Sequence, residues 1–169
     1  MHSSSQATAT SLPKRMVLTA RKIRCVLTFL QAPALLAARI YVGLVFFRSG
    51  QTKIANWDTT IALFQDEYHV PLLPPELAAY MGTAGELGLP VLLILGLFGR
   101  FAAAGLSFVN VVAVLSLAEI APAALHQHQL WGSLLLGLVL WGPGKWSLDA
   151  WWWPRWSTAP GASSPTPAA

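Results

Sequence analysis

Four apolar segments separated by short polar stretches occupy the middle of the chain. They run from about Pro33 to Ile54, from Ala79 to Leu97, from about Phe101 to Leu117 and from about His128 to Trp141. The second, AYMGTAGELGLPVLLILGL, is long enough to cross a bilayer core of ~30 Å as a helix rising ~1.5 Å per residue. The pattern predicts an all-α protein whose fold is a membrane-spanning four-helix bundle.

Composition supports a membrane protein. Hydrophobic residues make up 54% of the 169 residues and charged residues only 11%, whereas soluble domains contain about 25% charged residues. The net charge of +4 comes from Lys and Arg beside the apolar segments, which argues against nucleic acid as a partner. The single cysteine, Cys25, excludes an internal disulfide and a CxxC motif.

Residues 1–32 form a basic tail, with five basic and no acidic residues between positions 14 and 31. Its apolar residues recur at helical spacing: Met16, Ala20, Ile23, Leu27 and Leu30. This predicts an amphipathic helix on a membrane surface, with an organellar transit peptide as the alternative. Residues 154–169, rich in Pro, Ser, Ala and Thr, predict a disordered tail, which leaves residues 33–153 as the membrane domain.

Charges on the connections predict the topology. The N-terminal tail, the Gly99-Arg100 turn and the stretch from Lys145 to Arg155 are basic, whereas the loops 55–76 and 118–127 contain no Lys or Arg. The positive-inside rule therefore places both termini in the cytoplasm. The expected location is a bacterial inner (plasma) membrane, which the chain crosses several times.

The ionisable residues of the apolar segments need partners. Glu86 lies near the middle of the second segment, where a carboxylate costs about 2–3 kcal/mol by insertion scales. Arg39, which shares one helical face with Lys53, is the expected partner in an ion pair that closes the bundle. A proton-handling or ligand-binding carboxylate is the alternative for Glu86. Asn110 in the third segment is deep enough to hydrogen-bond to a neighbouring helix.

The first loop, residues 55–76, predicts a short helix from Thr59 to Tyr68 with Asp58 as its N-cap. Its acidic residues and His69 match no known metal cage. His126 and His128 are a weak metal pair, because residues two positions apart lie on different faces of a helix. No Ser/His/Asp set, phosphate loop or HExxH motif is present. The sequence favours a non-catalytic protein.

Three patterns in chain order resemble the DoxX family of small four-helix membrane proteins. They are Arg39, Gly43, Phe46, Gly50 and Lys53; Glu86 followed by Gly96 and Arg100; and Gly142-Pro143-Gly144 followed by Ser147, Leu148 and Asp149. The resemblance covers roughly residues 34–152. It implies that Arg39, Lys53, Glu86 and Asp149 are shared functional positions.

The resemblance implies an accessory subunit of a quinone-linked or redox or metal-stress membrane complex. Such a subunit would contact the lipid bilayer and an oxidoreductase or another membrane protein, and would offer a quinone site without a covalently bound cofactor. The sequence has no constellation for a haem, flavin, iron–sulfur cluster or copper centre. One alternative is a small proton-coupled carrier lined by Arg39, Glu86 and Asn110, which would need a homo-oligomer. The other is a structural assembly factor.

Overall fold

Helices account for nearly all of the regular structure in residues 14–157, the part of the chain that the computed structural model describes. They are α1 (Lys14–Ala55), α2 (Trp57–Asp66), α3 (Pro75–Leu95), α4 (Gly99–Ser116), α5 (Pro122–Trp141) and α6 (Leu148–Ser157). The all-α prediction is therefore confirmed. The disorder expected for residues 158–169 lies outside the described residues, whereas residues 154–157, assigned to the same tail from the sequence, are in α6.

The chain divides into two compact units, residues 1–31 and residues 32–169. In the first unit, residues 14–31 are helical and the side chains of residues 16–31 are all exposed. The sequence indicates a helix start near Pro33, but α1 continues through this proline. A proline removes one backbone hydrogen bond from a helix interior, and membrane helices tolerate that loss.

Three of the described helices are long and apolar enough to cross a membrane: Met16–Ala55, Pro75–Leu95 and Gly99–Ser116. Helices of this length and hydropathy indicate a membrane protein. The helix α5 has 20 residues, but the polar run HQHQ at positions 126–129 makes it less apolar. Its crossing of the membrane therefore stays a prediction.

Helices α1 and α3 are antiparallel and approach each other closely at two glycines. A Cβ on Gly43 would lie 2.6 Å from Ile94 Cγ1, and a Cβ on Gly50 would lie 2.9 Å from Leu87 Cγ. Because the later residue of α1 faces the earlier residue of α3, the two helices run in opposite directions. The glycines thus fix the register between them.

The helix α4 packs in the same way against α3 and α5. Gly105 of α4 lies against Leu89 of α3, and Gly132 of α5 lies against Asn110 of α4. The buried core joins residues of four helices: Val42, Phe46, Leu93, Ala102, Ala103, Leu106, Leu135 and Leu138. At one end of this core α1 and α4 finish while α3 and α5 begin, and we call it the α2 end.

The short helix α2 and the chain after it lie at the α2 end. The N-cap of α2 is Asn56 rather than the predicted Asp58: Asn56 Oδ1 accepts a hydrogen bond from the Thr59 N–H at 3.2 Å. Asp58 lies in the first turn, where its negative charge interacts favourably with the helix dipole. The chain then reaches the end of α4, where the His69 N–H donates to the Ser116 carbonyl at 2.8 Å.

Candidate functional site

A cavity of about 580 Å³ lies within the second unit, between α1, α3, α4, α5 and the chain around α2. Its walls are mostly apolar and include Phe46, Phe64, Leu89 and Trp131. Polar side chains line it at six positions: Ser49, Lys53, Tyr68, Glu86, Ser116 and His128. Ligand sites are typically ~300–1,000 Å³ in volume and apolar with a few polar groups, so this cavity has the character of such a site.

Lys53 and Glu86 form an ion pair in the cavity wall. The Lys53 ammonium donates to Glu86 Oε2, and Lys53 Nζ lies 3.5 Å from Ser49 Oγ, one turn earlier on α1. The Glu86 side chain is 8% exposed and the Lys53 side chain 20%. The pair crosses from α1 to α3 where Gly50 lets the two helices approach. It places both a hydrogen-bond donor and an acceptor beside an apolar space.

Arg39, the partner expected for Glu86, lies elsewhere, and the predicted pairing is wrong. Its fully buried side chain donates from Nη2 to the Trp146 carbonyl, while its Nε and Nη1 have no hydrogen-bond partner. The antiparallel register brings Gly50 opposite Glu86, whereas Arg39 packs against Gly96. Arg39 is thus about three helical turns from Glu86 along α3.

Asp149 holds the turn between α3 and α4. Its Oδ1 and Oδ2 accept hydrogen bonds from the Phe98 and Gly99 N–H groups, each at 2.8 Å. Its own N–H donates to the Gly96 carbonyl at 2.9 Å. A carboxylate at a helix N-terminus accepts hydrogen bonds from the free N–H groups there, and its negative charge interacts favourably with the helix dipole. In this structure Asp149 therefore caps α4, away from the cavity.

Gly142 and Gly144 shape the chain between α5 and α6. Gly142 ends α5 with φ +82°, and Gly144 has φ +83°, values that favour glycine because L side chains rarely adopt them. The predicted helix stop at Gly142-Pro143-Gly144 is confirmed. A Cβ on Gly144 would lie 3.0 Å from Leu35 Cδ1, so this segment packs closely against α1.

His128 links the cavity to α4 through Asn110. The His128 Nδ1 lies 2.8 Å from Asn110 Oδ1, and Asn110 Nδ2 donates to the His128 carbonyl at 3.0 Å. The His128 ring also packs edge-on against Trp131, with 5.0 Å between centroids. If Nδ1 donates to the amide oxygen, Nε2 is the acceptor nitrogen of the neutral ring.

The weak metal pair does not form one site, because His126 is exposed while His128 is engaged with Asn110. Within residues 14–157, no group of three or more His, Cys, Asp or Glu side chains is arranged to hold a metal ion. This absence of a metal-binding group extends to the acidic residues of the first loop.

Tyr68, Ser49 and Trp131 line the cavity, and the sequence analysis did not identify them as site residues. Burial raises the pKa of Tyr68, and the charges of Glu67 and Glu86 add to this effect. Its phenol is therefore neutral at physiological pH and can donate a hydrogen bond. Ser49 could have been found from the sequence, because it lies one helical turn from Lys53. The position of Tyr68 at the cavity depends on its backbone pairing with Leu117, which the sequence does not reveal.

Comparison with known proteins gives one match. A family model described as DoxX matches residues 34–119. The matched region includes Arg39, Lys53, Glu86 and Asn110, and it ends before His128. No curated protein and no solved structure matches the chain significantly.

Proposed function

The chain belongs to the DoxX family, and we propose that it is an accessory subunit of a quinone-linked membrane complex whose cavity binds the quinone. The observation that carries this proposal is the apolar cavity with the Lys53–Glu86 pair in its wall. In the proposed complex, an oxidoreductase partner supplies the redox chemistry and this chain supplies the lipid-facing site.

The proposed membrane arrangement has four spans. The helix α5 packs into the same core as α1, α3 and α4, and its 20 residues are enough for a span. The loops without Lys or Arg then lie at the α2 end, which we place outside an inner (plasma) membrane. Both termini face the cytoplasm in this arrangement.

The residues of the cavity suit a quinone. A quinone ring is planar and apolar, and its two carbonyl oxygens accept hydrogen bonds. Aromatic side chains such as Phe46 and Trp131 offer flat apolar contact. The Lys53 ammonium and the neutral Tyr68 phenol offer donors for the carbonyl oxygens. Glu86 keeps the Lys53 charge compensated when no acceptor is bound.

The proposal is tested by purifying the full chain with a C-terminal tag in mild detergent. Bound proteins and lipid-soluble cofactors are then identified by mass spectrometry. We expect an oxidoreductase and a quinone to co-purify with the natural chain, and the quinone to be lost from the Glu86→Gln variant. The control is Glu119→Gln, the same chemical change at an exposed position outside the cavity. A chain that purifies alone and without quinone would contradict the proposal.

A proton-coupled carrier is the second candidate, because an ionisable pair beside an intramembrane cavity is typical of proton paths. It predicts that the chain, alone in liposomes, moves protons down a pH gradient and that Glu86→Gln stops this movement. An accessory subunit without its partner would show no such movement.

A further inference from the structure

We infer that the cavity holds the quinone in one orientation, with the ring at the α2 end and the isoprenoid tail running along α4 toward the α3–α4 turn. This inference rests on the proposed function and adds to it the class of quinone, one with a long tail, and the direction in which it binds.

The cavity is elongated along the helices. Its lining residues on α4 extend from Phe101, in the first turn, to Ser116 at the end. At a rise of about 1.5 Å per residue this distance is about 22 Å, far more than the length of a single ring. A cavity of about 580 Å³ spread over that length is narrow, which suits a chain better than a second ring.

The two ends of the cavity differ in polarity. Ser49 and Lys53 follow Val45 and Phe46 on α1, so the polar residues lie nearer the α2 end. On α3, which runs the other way, Glu86 lies in the middle of the cavity, between Met81 on the side of the α2 end and Leu89 on the other side.

The same order holds on the other elements. On α4, Phe101 and Phe108 occupy the first half and Ser116 the last position. Tyr68 and His128 belong to elements at the α2 end. The hydrogen-bonding side chains of the lining therefore lie between the middle of the cavity, where Glu86 and Lys53 meet, and the α2 end, and the half toward the α3–α4 turn is apolar.

The apolar half of the cavity opens to the surroundings of the protein. Phe101 and Phe108 line the cavity although they are 67% and 71% exposed. Along a membrane-spanning helix these surroundings are lipid tails. A tail that leaves the cavity beside Phe101 and Phe108 therefore meets the bilayer, while the ring stays at the polar end.

The orientation is tested with two photoreactive quinones that share their ring and a tail short enough to end inside the cavity. One carries a diazirine beside the ring, the other at the end of the tail. After irradiation of the full chain in lipid nanodiscs, labelled peptides are mapped by mass spectrometry. We expect the ring-side probe to label the region of Tyr68 and Ser116, and the tail-end probe to label the region of Val45 and Phe101.

Two variants, each with a matched control, test the polar and the apolar part of the cavity. Lys53→Met should reduce labelling by both probes about tenfold or more, the loss expected for a hydrogen bond to a charged group. Its control, Arg48→Met, removes an exposed charge of the same helix and should leave labelling unchanged. Val45→Phe fills the apolar end and should move only the tail-end label, whereas Leu44→Phe adds the same kind of ring at an exposed position outside the lining.

Each outcome decides the inference. Labelling in the expected order that depends on Lys53 supports it. Labelling inside the cavity in the reverse order, or by both probes at the α2 end, overturns the orientation and leaves quinone binding intact. Labelling confined to the exposed face of α5, around Leu136 and Leu140, overturns both the inference and the quinone site of the proposed function.

Discussion

Removing the Lys53–Glu86 pair one partner at a time, and then both partners together, tests the energetics of the site. Lys53→Met leaves the Glu86 carboxylate, 8% exposed, without its partner. Glu86→Gln leaves the Lys53 ammonium, which is 20% exposed and near Ser49 Oγ. The Lys53 ammonium left in Glu86→Gln is better solvated than the Glu86 carboxylate left in Lys53→Met. We therefore expect the two single variants to lose different amounts of stability.

The magnitudes follow from the burial of each group. Removing one partner of a buried ion pair costs about 3–5 kcal/mol in proteins. We expect Lys53→Met to lower the free energy of unfolding by about 3–4 kcal/mol, within that range. Glu86→Gln should cost about 2–3 kcal/mol, because Lys53 is partly exposed and water screens its charge. The double variant leaves no stranded charge, and its cost should be about 1 kcal/mol or less.

The assay is reversible unfolding of the full chain in mixed micelles, followed by circular dichroism. Arg48→Met, which removes an exposed charge from α1, is the control and should change the free energy of unfolding by about 0.5 kcal/mol or less. A double variant whose loss equals the sum of the two single losses would contradict this prediction, since it would mean that the two charges do not interact.

Three further predictions use the same unfolding assay. Gly96→Ala should lower the free energy of unfolding by about 2 kcal/mol or more, because Gly96 has φ +68° and a Cβ there would overlap Arg39. Its control is Gly88→Ala, which has open space around it and should change that free energy by about 1 kcal/mol or less. Equal losses in the two variants would contradict this prediction. Asp149→Ala should lose about 2–3 kcal/mol by removing two backbone hydrogen bonds, and Asp149→Asn should lose less; the reverse order would count against the capping role. Because the pKa of Tyr68 is raised, its contribution to stability is present below the ordinary phenol pKa of about 10 and disappears as the pH rises through the folded value. The natural chain should therefore lose stability above that pH more steeply than Tyr68→Phe, and parallel curves would disprove this.

The hydrophobic pattern was enough to find the long helices, although three of them begin at Lys14, Pro75 and Pro122 rather than near Pro33, Ala79 and His128. It also found those helix ends that depend on local sequence. The stop at Gly142 is an example, since a glycine beside a proline ends a helix whatever surrounds it. The helix in the first loop was also predicted, although its cap is Asn56 rather than Asp58. Both residues are good caps, and the sequence alone gave no means of choosing between them.

The partner of Glu86 was not predictable by the same means. Helical periodicity puts Arg39 and Lys53 on one face of α1, but it says nothing about how far α1 slides along α3. That distance is set by close approach at Gly43 and Gly50, a property of two helices together. The position of Tyr68 in the cavity wall was also not predictable from the sequence, because it depends on contact between the chain after α2 and the end of α4.

The buried Arg39 and the partly exposed Lys53 therefore have different roles. Arg39 is packed against the α3–α4 turn that Asp149 caps, and none of the cavity lining belongs to that turn. Lys53 and Glu86 line the cavity, where apolar residues of similar volume would often be as stable as an ion pair or more so. Stability alone thus gives no reason for a charged pair at this place, whereas a ligand with an acceptor oxygen does. A stable double variant that no longer binds quinone would separate the two explanations, because a purely structural pair predicts that binding survives whenever the fold does.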